Sequence, residues 1–334
     1  MKVILVCILM FSTFSVKAQI DRPVLDIELT NYKYPFAVKF LQLESQQKDI
    51  KMAYMDVAAK EPNGKTVVLL HGKNFNGAYW KTTIEALIEE GYRVLVPDQV
   101  GFGKSTKPTG YQFSFQQLAQ NTKALLDTLK IKKIFLLGHS MGGMLATRFT
   151  LMYPEMVEKL VLENPIGLED WKLVASYTSI DQHYLNELKA SYESVKQYQL
   201  TSYYNNKWKP DYDEWVYLLT GWVKHPQYPI VAMNNAQTSD MIFTQPVLYE
   251  FDSIKTRTLL IIGTRDITAI GKNNVKDPVV REKMGQYQLL GKKTQQKIKG
   301  SKLVELENVG HMPHIEAFER FIEPLKNFLQ ESTK

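Results

Sequence analysis

Short, unbroken apolar runs alternate with amphipathic stretches along most of this chain, and this alternation is the strongest constraint on its fold. The runs at 65–72 (KTVVLLHG), 92–98 (YRVLVPD) and 132–140 (KKIFLLGHS) are too uniformly apolar for strands with one wet face. The stretches between them carry apolar residues at helical spacing. Buried strands separated by helices are typical of a mostly parallel sheet covered on both faces. We therefore predict an α/β fold.

Residues 167–251 interrupt this alternation. They hold four of the five tryptophans and few strand-like runs. The strand pattern then resumes at 257–266 (RTLLIIGTRD), and the chain ends in an amphipathic stretch. We therefore predict a helical cap at 167–251, inserted into a core formed by residues 19–166 and 252–334.

The first 18 residues have the pattern of a cleavable secretory signal. Lys2 is followed by an apolar run over 3–14, and Ala18 ends a small-residue cleavage site. The run is too short to span a bilayer comfortably, so we expect no stable membrane span. The single cysteine, Cys7, falls within this segment, so the mature chain would have no disulfide. We therefore predict a secreted or periplasmic protein.

The formal net charge of +6 raises the question of an acidic partner. The lysines are scattered, however, and the densest run, residues 291–302, has no interleaved aromatic residues. We interpret this run as the solvated face of a helix and expect no nucleic-acid partner.

The stretch GHSMG (138–142) fits the pattern G-x-S-x-G, and a strand leads into it while a helix leaves it. This context is typical of a nucleophile elbow, in which a sharp turn presents a serine at the carboxyl end of a strand. Ser140 is therefore the candidate nucleophile. The alternative is a glycine-rich turn that only packs a helix against a strand.

A serine nucleophile needs a histidine base. His139 adjoins Ser140, but neighbouring side chains at a sharp turn diverge, so we interpret it as a packing or pocket-wall residue. His311 follows the last predicted strand and Gly310 directly, which places it at the same edge of the sheet. We predict His311 as the base and His314 as a structural neighbour.

The base needs an acid that orients its imidazole. Asp266 comes just after the apolar run that ends at Gly263, and Glu163 follows the preceding strand. The order serine, aspartate, histidine, each at a separate strand end, favours Asp266 as the acid. Glu163 is the competitor, and a salt-bridged loop aspartate is the alternative interpretation of Asp266.

Two backbone N–H groups are candidates for the oxyanion hole. Met141 begins the helix after the elbow, where the amide dipoles favour negative charge. Lys73 follows the strand end at His71–Gly72 and supplies the second N–H. We expect the charged side chain of Lys73 to point to solvent, and the alternative is that it favours acidic substrates.

No cofactor or metal is predicted. The stretch GFGKST (101–106) resembles a phosphate-binding loop, but the glycine that this motif requires at position 98 is Asp98. The histidines are dispersed, and no pattern of paired cysteines or of H-E-x-x-H indicates a zinc site.

Taken together, these motifs resemble the α/β-hydrolase superfamily over roughly residues 36–330. The resemblance rests on HG (71–72), PDQVGFGKS (97–105), GHSMGG (138–143), GTRD (263–266) and GHMPH (310–314). It implies an eight-stranded, mostly parallel sheet, with Ser140, Asp266 and His311 as the catalytic triad. It also implies Lys73 and Met141 as oxyanion donors and residues 167–251 as the cap.

The resemblance implies a serine esterase or lactonase that acts on a small-molecule acyl substrate. Dehalogenases and epoxide hydrolases of the superfamily carry aspartate where Ser140 stands. Proline iminopeptidases carry HGGPG where this chain has HGKNF, which makes an aminopeptidase the weaker alternative. The elbow also resembles that of hydrolases that cleave carbon–carbon bonds, and a ligand-binding protein with little turnover is a further alternative. Within the cap, Trp171 is the candidate for a pocket wall, and ordinary packing within the cap is the favoured alternative.

Overall fold

A computed structural model describes residues 22–332 of the chain. Its centre is one eight-stranded sheet with the strand order β1-β2-β4-β3-β5-β6-β7-β8. The strands are β1 (Val38–Ser45), β2 (Lys48–Val57), β3 (Thr66–Leu70), β4 (Arg93–Pro97), β5 (Ile134–His139), β6 (Val157–Glu163), β7 (Arg257–Gly263) and β8 (Lys302–Leu306).

The sheet is mostly parallel. Only β1 with β2 and β2 with β4 pair antiparallel, and the remaining five pairs are parallel. The predicted fold class, a mostly parallel eight-stranded α/β-hydrolase sheet, is confirmed. The signal peptide predicted at residues 1–18 lies outside the described residues.

Helices cover both faces of the sheet and fill the connections between strands. Outside the predicted cap they are α1 (Lys81–Glu89), α2 (Phe115–Thr128), α3 (Met141–Met152), α8 (Pro278–Lys283), α9 (Tyr287–Lys297), α10 (Pro313–Glu316) and α11 (Phe318–Gln330). Between β6 and β7 lie α4 (Ile180–Glu187), α5 (Tyr192–Ser202), α6 (Asp213–Thr220) and α7 (Tyr228–Thr244), and no strand is found in this part of residues 22–332. The predicted cap, residues 167–251, contains these four helices.

Consecutive residues of the central strands face two different cores. Val67 and Leu69 pack in the core that contains α1 and α11, while Val68 and Leu70 pack in the core that contains α2 and α3. Successive side chains of a strand point to opposite faces, so a strand between two helical layers must be apolar throughout. This explains the unbroken apolar runs.

The parallel strands also collect polar residues at one edge. The loops after β3, β5, β6, β7 and β8 all leave the carboxyl edge of the sheet, where open α/β sheets bind ligands. Gly72, Ser140, Asn164, Asp266 and His311 lie on these five loops.

Across residues 22–332, no helix combines the length and the apolar character needed to cross a bilayer.

Candidate active site

Ser140 occupies a strained turn between β5 and α3. Its backbone has φ 55° and ψ −121°, outside the regions that a residue with a side chain normally adopts. Glycine is required beside it, because a Cβ on Gly142 would lie 2.2 Å from the carbonyl oxygen of Leu70. Such strain is retained where the surrounding structure enforces it, and it is common at active sites. The turn has the geometry of a nucleophile elbow.

Ser140, His311 and Asp266 form one hydrogen-bonded line. His311 Nε2 lies 3.0 Å from Ser140 Oγ, and His311 Nδ1 lies 2.7 Å from Asp266 Oδ2. All three residues are buried, and Ser140 is 7% exposed. Because an ionised carboxylate only accepts hydrogen bonds, Nδ1 carries the proton and Nε2 is free to accept one from the serine. The three residues selected from the sequence thus meet in one site.

Asp266 is held by two further donors. Asn164 Nδ2 donates to Asp266 Oδ2 at 2.8 Å, and the backbone N–H of Thr268 donates to Oδ1 at 2.9 Å. Burial works to raise the pKa of Asp266, but the interactions with His311, Asn164 and Thr268 outweigh it and lower that pKa below its ordinary value. The carboxyl is therefore ionised at neutral pH. Asn164 was not selected from the sequence, although it too directly follows a buried strand.

The two N–H groups predicted for the oxyanion hole belong to Met141, which follows Ser140 directly, and to Lys73, on the loop after β3. Met141 is the first residue of α3, so no carbonyl of that helix accepts its N–H. A Cβ on Gly72 would lie 3.5 Å from Ser140 Oγ, which places the loop of Lys73 against the nucleophile. Within residues 22–332 the N–H of Lys73 donates no hydrogen bond. Their role as oxyanion donors stays a prediction.

The expectation that the Lys73 side chain points to solvent is wrong. This side chain is only 15% exposed, and its Nζ lies 3.5 Å from Glu187 Oε1 at the end of α4. The side chain turns toward the cap because a carboxylate there offsets its charge. The sequence could not show this contact, since 114 positions separate the two residues.

His139 is oriented away from Ser140, in agreement with its interpretation as a packing residue. Its Nε2 donates to the backbone carbonyl of His311 at 2.7 Å, and its Nδ1 accepts from the hydroxyl of Tyr79 at 3.1 Å. That hydroxyl in turn accepts from the N–H of Gly72 at 2.9 Å. Burial is the main factor that lowers the pKa of His139 to about 3, so its ring is neutral. A buried chain of hydrogen bonds thus links the loop of His311 to the loop of Lys73.

Glu163 pairs with His314 and not with His311. Its Oε1 accepts hydrogen bonds from the backbone N–H of His314 at 3.0 Å and from His314 Nδ1 at 2.8 Å. The imidazole of His314 stacks on Trp80, with ring centroids 4.3 Å apart. Burial raises the pKa of Glu163 to about 7 and lowers that of His314 well below its ordinary value. Both changes favour the uncharged pair. Among the described residues, neither of these two side chains makes a hydrogen bond to Ser140 Oγ, although the backbone carbonyl of Glu163 accepts one from the N–H of Ser140 at 3.2 Å.

Trp171, the candidate for a pocket wall, is buried in a short 3-10 turn, Trp171–Leu173. Its indole Nε1 donates to Glu169 Oε1 at 3.2 Å. Among residues 22–332, neither a hydrogen bond nor an aromatic contact joins it to the triad. Its place in a substrate pocket stays a prediction.

Tyr203, in the predicted cap, touches one of the three residues of the hydrogen-bonded line. Its ring stacks on the imidazole of His311, with centroids 4.8 Å apart and an interplanar angle of 26°. Neither Tyr203 nor Tyr79 was selected from the sequence, because no motif or periodicity distinguishes them from other tyrosines. In the described residues no group of three or more His, Cys, Asp or Glu side chains could hold a metal ion.

Comparison with known proteins agrees with this geometry. The family model of the alpha/beta hydrolase fold matches residues 65–318. A crystal structure of a probable hydrolytic enzyme from Pseudomonas aeruginosa PAO1 is 47% identical, with 92% of this chain and 99% of that chain aligned and a TM-score of 0.91. The enol-lactonase from Burkholderia xenovorans LB400 is 22% identical over 87% of this chain and 100% of its own, with a TM-score of 0.64, which shows the fold alone.

A curated relative matches a shorter part of the chain. The 2-hydroxy-6-oxononadienedioate/2-hydroxy-6-oxononatrienedioate hydrolase of Escherichia coli K12 is 39% identical over 127 residues, or 37% of this chain and 43% of that enzyme. The match therefore spans less than half of the relative's length. The family model, in contrast, covers well over half of the chain and includes all three triad positions. This protein belongs to the α/β hydrolase fold family.

Proposed function

We propose that the protein is a serine hydrolase that cleaves a small carboxylic ester or lactone through an acyl-enzyme. The observation that carries the proposal is the continuous line of hydrogen bonds from Asp266 through His311 to Ser140 Oγ. This line can remove the proton that makes a serine hydroxyl a poor nucleophile.

In the first half of the reaction, Ser140 Oγ attacks the carbonyl carbon as its proton passes to His311 Nε2. The carbonyl electrons move onto oxygen, and the N–H groups of Lys73 and Met141 stabilise that oxyanion. Asp266 keeps the imidazole in the required tautomer and stabilises its positive charge. Each oxyanion donor contributes about 3 kcal/mol to transition-state stabilisation in related chemistry.

To complete the first half, the oxyanion collapses, the bond to the leaving oxygen breaks, and the proton on His311 passes to that oxygen, which departs as an alcohol. A lactone would instead open and keep its alcohol on the acyl chain. In the second half, water attacks the acyl-enzyme and His311 accepts a proton from that water. The second oxyanion then collapses, the bond from the acyl carbon to Ser140 Oγ breaks, and His311 returns the proton to Ser140 Oγ as the acid leaves. In each half His311 first accepts a proton from the attacking oxygen and then gives it to the departing oxygen.

Labelling with a fluorophosphonate tests the nucleophile without knowledge of the substrate. We expect wild-type protein to form a covalent adduct at Ser140, identified by mass spectrometry of the modified peptide. The variant Ser140→Ala should not label, while Ser239→Ala, which alters a serine on cap helix α7, should label normally. Folded wild-type protein that does not label would rule out the proposal.

A carbon–carbon bond hydrolase is the second candidate. The E. coli relative that is 39% identical over 127 residues is named as a hydrolase of 2-hydroxy-6-oxononadienedioate. The same triad would serve both reactions. A panel of p-nitrophenyl esters, lactones, vinylogous diketones and aminoacyl amides separates the candidates by their kcat/KM values. Preference for the diketones would favour the second candidate, and preference for the amides would favour an aminopeptidase. Binding of an apolar ligand with no turnover would favour a ligand-binding protein.

We further propose that the protein acts outside the cytoplasm. Support comes from the charged start, the apolar run over 3–14 and the small residue Ala18. Expression of the full chain, followed by cell fractionation and N-terminal sequencing, tests this proposal. Cleavage after Ala18 is the expected result, and an intact cytoplasmic chain would contradict it.

A further inference from the structure

Tyr203 lies at the end of α5, where the cap meets the triad. It is 2% exposed, and its ring covers one face of the His311 imidazole at a centroid distance of 4.8 Å. The two rings are nearly parallel, at 26°. A side chain of the cap therefore covers one face of the imidazole of the proposed base.

The other polar atoms of Tyr203 reach two further loops of the site. Its hydroxyl accepts a hydrogen bond from Asn74 Nδ2 at 3.0 Å, one residue after Lys73. Its backbone carbonyl accepts from Arg265 Nη1 at 3.3 Å, one residue before Asp266. One cap residue thus contacts the loops of the base, the acid and the predicted oxyanion donor.

The backbone before His311 is shaped to admit this contact. A Cβ on Gly310 would lie only 2.0 Å from the carbonyl oxygen of Tyr203. Any other residue at position 310 would force the two segments apart. The glycine of the GHMPH motif is therefore explained by the close approach of the cap.

From these contacts we infer that Tyr203 is a positioning residue, through which the cap sets the acid–base behaviour of His311. The inference rests on the proposed function, in which His311 becomes a cation when it accepts the serine proton. An aromatic face attracts a cation placed over it, so the Tyr203 ring favours the imidazolium. The stacking also restricts rotation of the imidazole away from Ser140.

Other titratable groups act on the same imidazole and must be held constant in a test. Asp266 contacts its Nδ1, and the ring of His139 lies with its centroid 4.9 Å away. Glu163 and His314 also interact with His311 through space. Substitution of Tyr203 leaves all four of these groups in place.

The test is the second-order rate at which a fluorophosphonate labels Ser140, measured from pH 5 to 9. This rate needs neutral His311 and no natural substrate. We expect Tyr203→Leu to lower the plateau rate roughly tenfold and to move the acid limb about half a pH unit lower, because the imidazolium loses a favourable contact. Tyr203→Phe keeps the aromatic face and should retain the wild-type acid limb.

Tyr177→Leu is the matched control, because Tyr177 is an exposed cap tyrosine whose hydroxyl donates to Asp240. It should label like the wild type. If Tyr203→Leu does not fold, as judged by circular dichroism, Tyr203→Met fills a similar volume without a ring and carries the same expectation.

The possible outcomes separate this inference from the proposed function. Failure of the wild type to label contradicts the proposed function itself. Normal labelling of the wild type, together with a Tyr203→Leu profile equal to that of the wild type, overturns only the inference about Tyr203. Equal loss in Tyr203→Phe and Tyr203→Leu also overturns it, since the hydroxyl and not the ring would then matter.

Discussion

Within residues 22–332 there are two buried carboxylate–histidine pairs of nearly equal length. Asp266 Oδ2 lies 2.7 Å from His311 Nδ1, and Glu163 Oε1 lies 2.8 Å from His314 Nδ1. The two histidines are three residues apart in GHMPH. Glu163 is the last residue of β6, and Asp266 lies just after the end of the neighbouring strand β7. By spacing, burial and chemistry, the pairs are almost equivalent.

They differ in what surrounds them. Additional hydrogen bonds to Asp266 favour its ionised form, and His311 reaches Ser140 with its second nitrogen. The oxygen Glu163 Oε2 and the nitrogen His314 Nε2 have no hydrogen-bond partner among the described residues. We call Asp266–His311 the site pair and Glu163–His314 the structural pair. A charged carboxylate and a hydrogen bond to the candidate nucleophile distinguish the site pair from the structural pair. Distance alone does not.

The largest effect should come from the site pair and the candidate nucleophile beside it. We expect Ser140→Ala or His311→Gln to lower kcat by about 10⁶-fold, with no further loss in the double variant, because the residues act as one unit. The matched variant His314→Gln should lose stability but keep its activity within a few fold. Steady-state kinetics on the best substrate of the panel, with urea unfolding for each variant, checks this. A similar loss of kcat in His314→Gln would contradict the distinction between the pairs.

The second test exchanges each carboxylate for its amide. Asp266→Asn should lower kcat by about 10⁴-fold, because an amide favours the wrong tautomer of His311. Glu163→Gln should change kcat little, since its partner is not the base. The ratio of the two kcat values is the measurement, and values within tenfold of each other would refute the assignment of Asp266 as the acid.

A smaller effect is expected at Tyr79, whose hydroxyl links His139 to the loop that carries Lys73. Tyr79→Phe removes the hydroxyl that accepts from the N–H of Gly72 and donates to His139. One hydrogen bond is lost at the loop that carries Lys73 and a second at His139, so we expect kcat to fall roughly tenfold with KM nearly unchanged. Tyr92→Phe, at a buried tyrosine that packs on Phe135, is the control and should be neutral. Equal kinetics in the two variants would count against a role for this link.

The smallest effect on activity is expected at Glu163, where the consequence is instead a dependence of stability on pH. Burial raises the pKa of Glu163 from 4.5 to about 7, so over this interval the folded chain holds a proton that the unfolded chain has released. The stability from this group is complete below the unfolded pKa and is lost as pH rises through the folded pKa. At 1.4 kcal/mol per pKa unit, the loss is roughly 3 kcal/mol.

The variant Glu163→Gln has no titrating group at this position. The difference between its free energy of unfolding and that of the wild type should therefore increase, in favour of the variant, by roughly 3 kcal/mol between pH 4.5 and 8. His139 and His314 titrate in both proteins, and their contribution cancels in the difference. Urea midpoints at several pH values measure it. A difference that does not vary with pH would show that Glu163 is ionised throughout.

Much of the site followed from strand ends. Ser140, Asp266 and His311 could be predicted because parallel strands bring the residues after them to one edge of the sheet. The same rule also selects Glu163 and Asn164, but it does not show what either residue does. That depends on which side chain each one contacts. The Lys73–Glu187 contact and the stacking of Tyr203 on His311 depend on how the cap docks. No local pattern in the sequence encodes that docking.

The positive φ of Ser140 has a consequence for selection in the laboratory. Glycine adopts such a conformation without strain, whereas serine is held there at a cost of about 1–3 kcal/mol. A library sorted only for heat tolerance should therefore enrich glycine at position 140 and lose the nucleophile. For this chain, directed evolution toward robustness and directed evolution toward turnover should diverge at that residue.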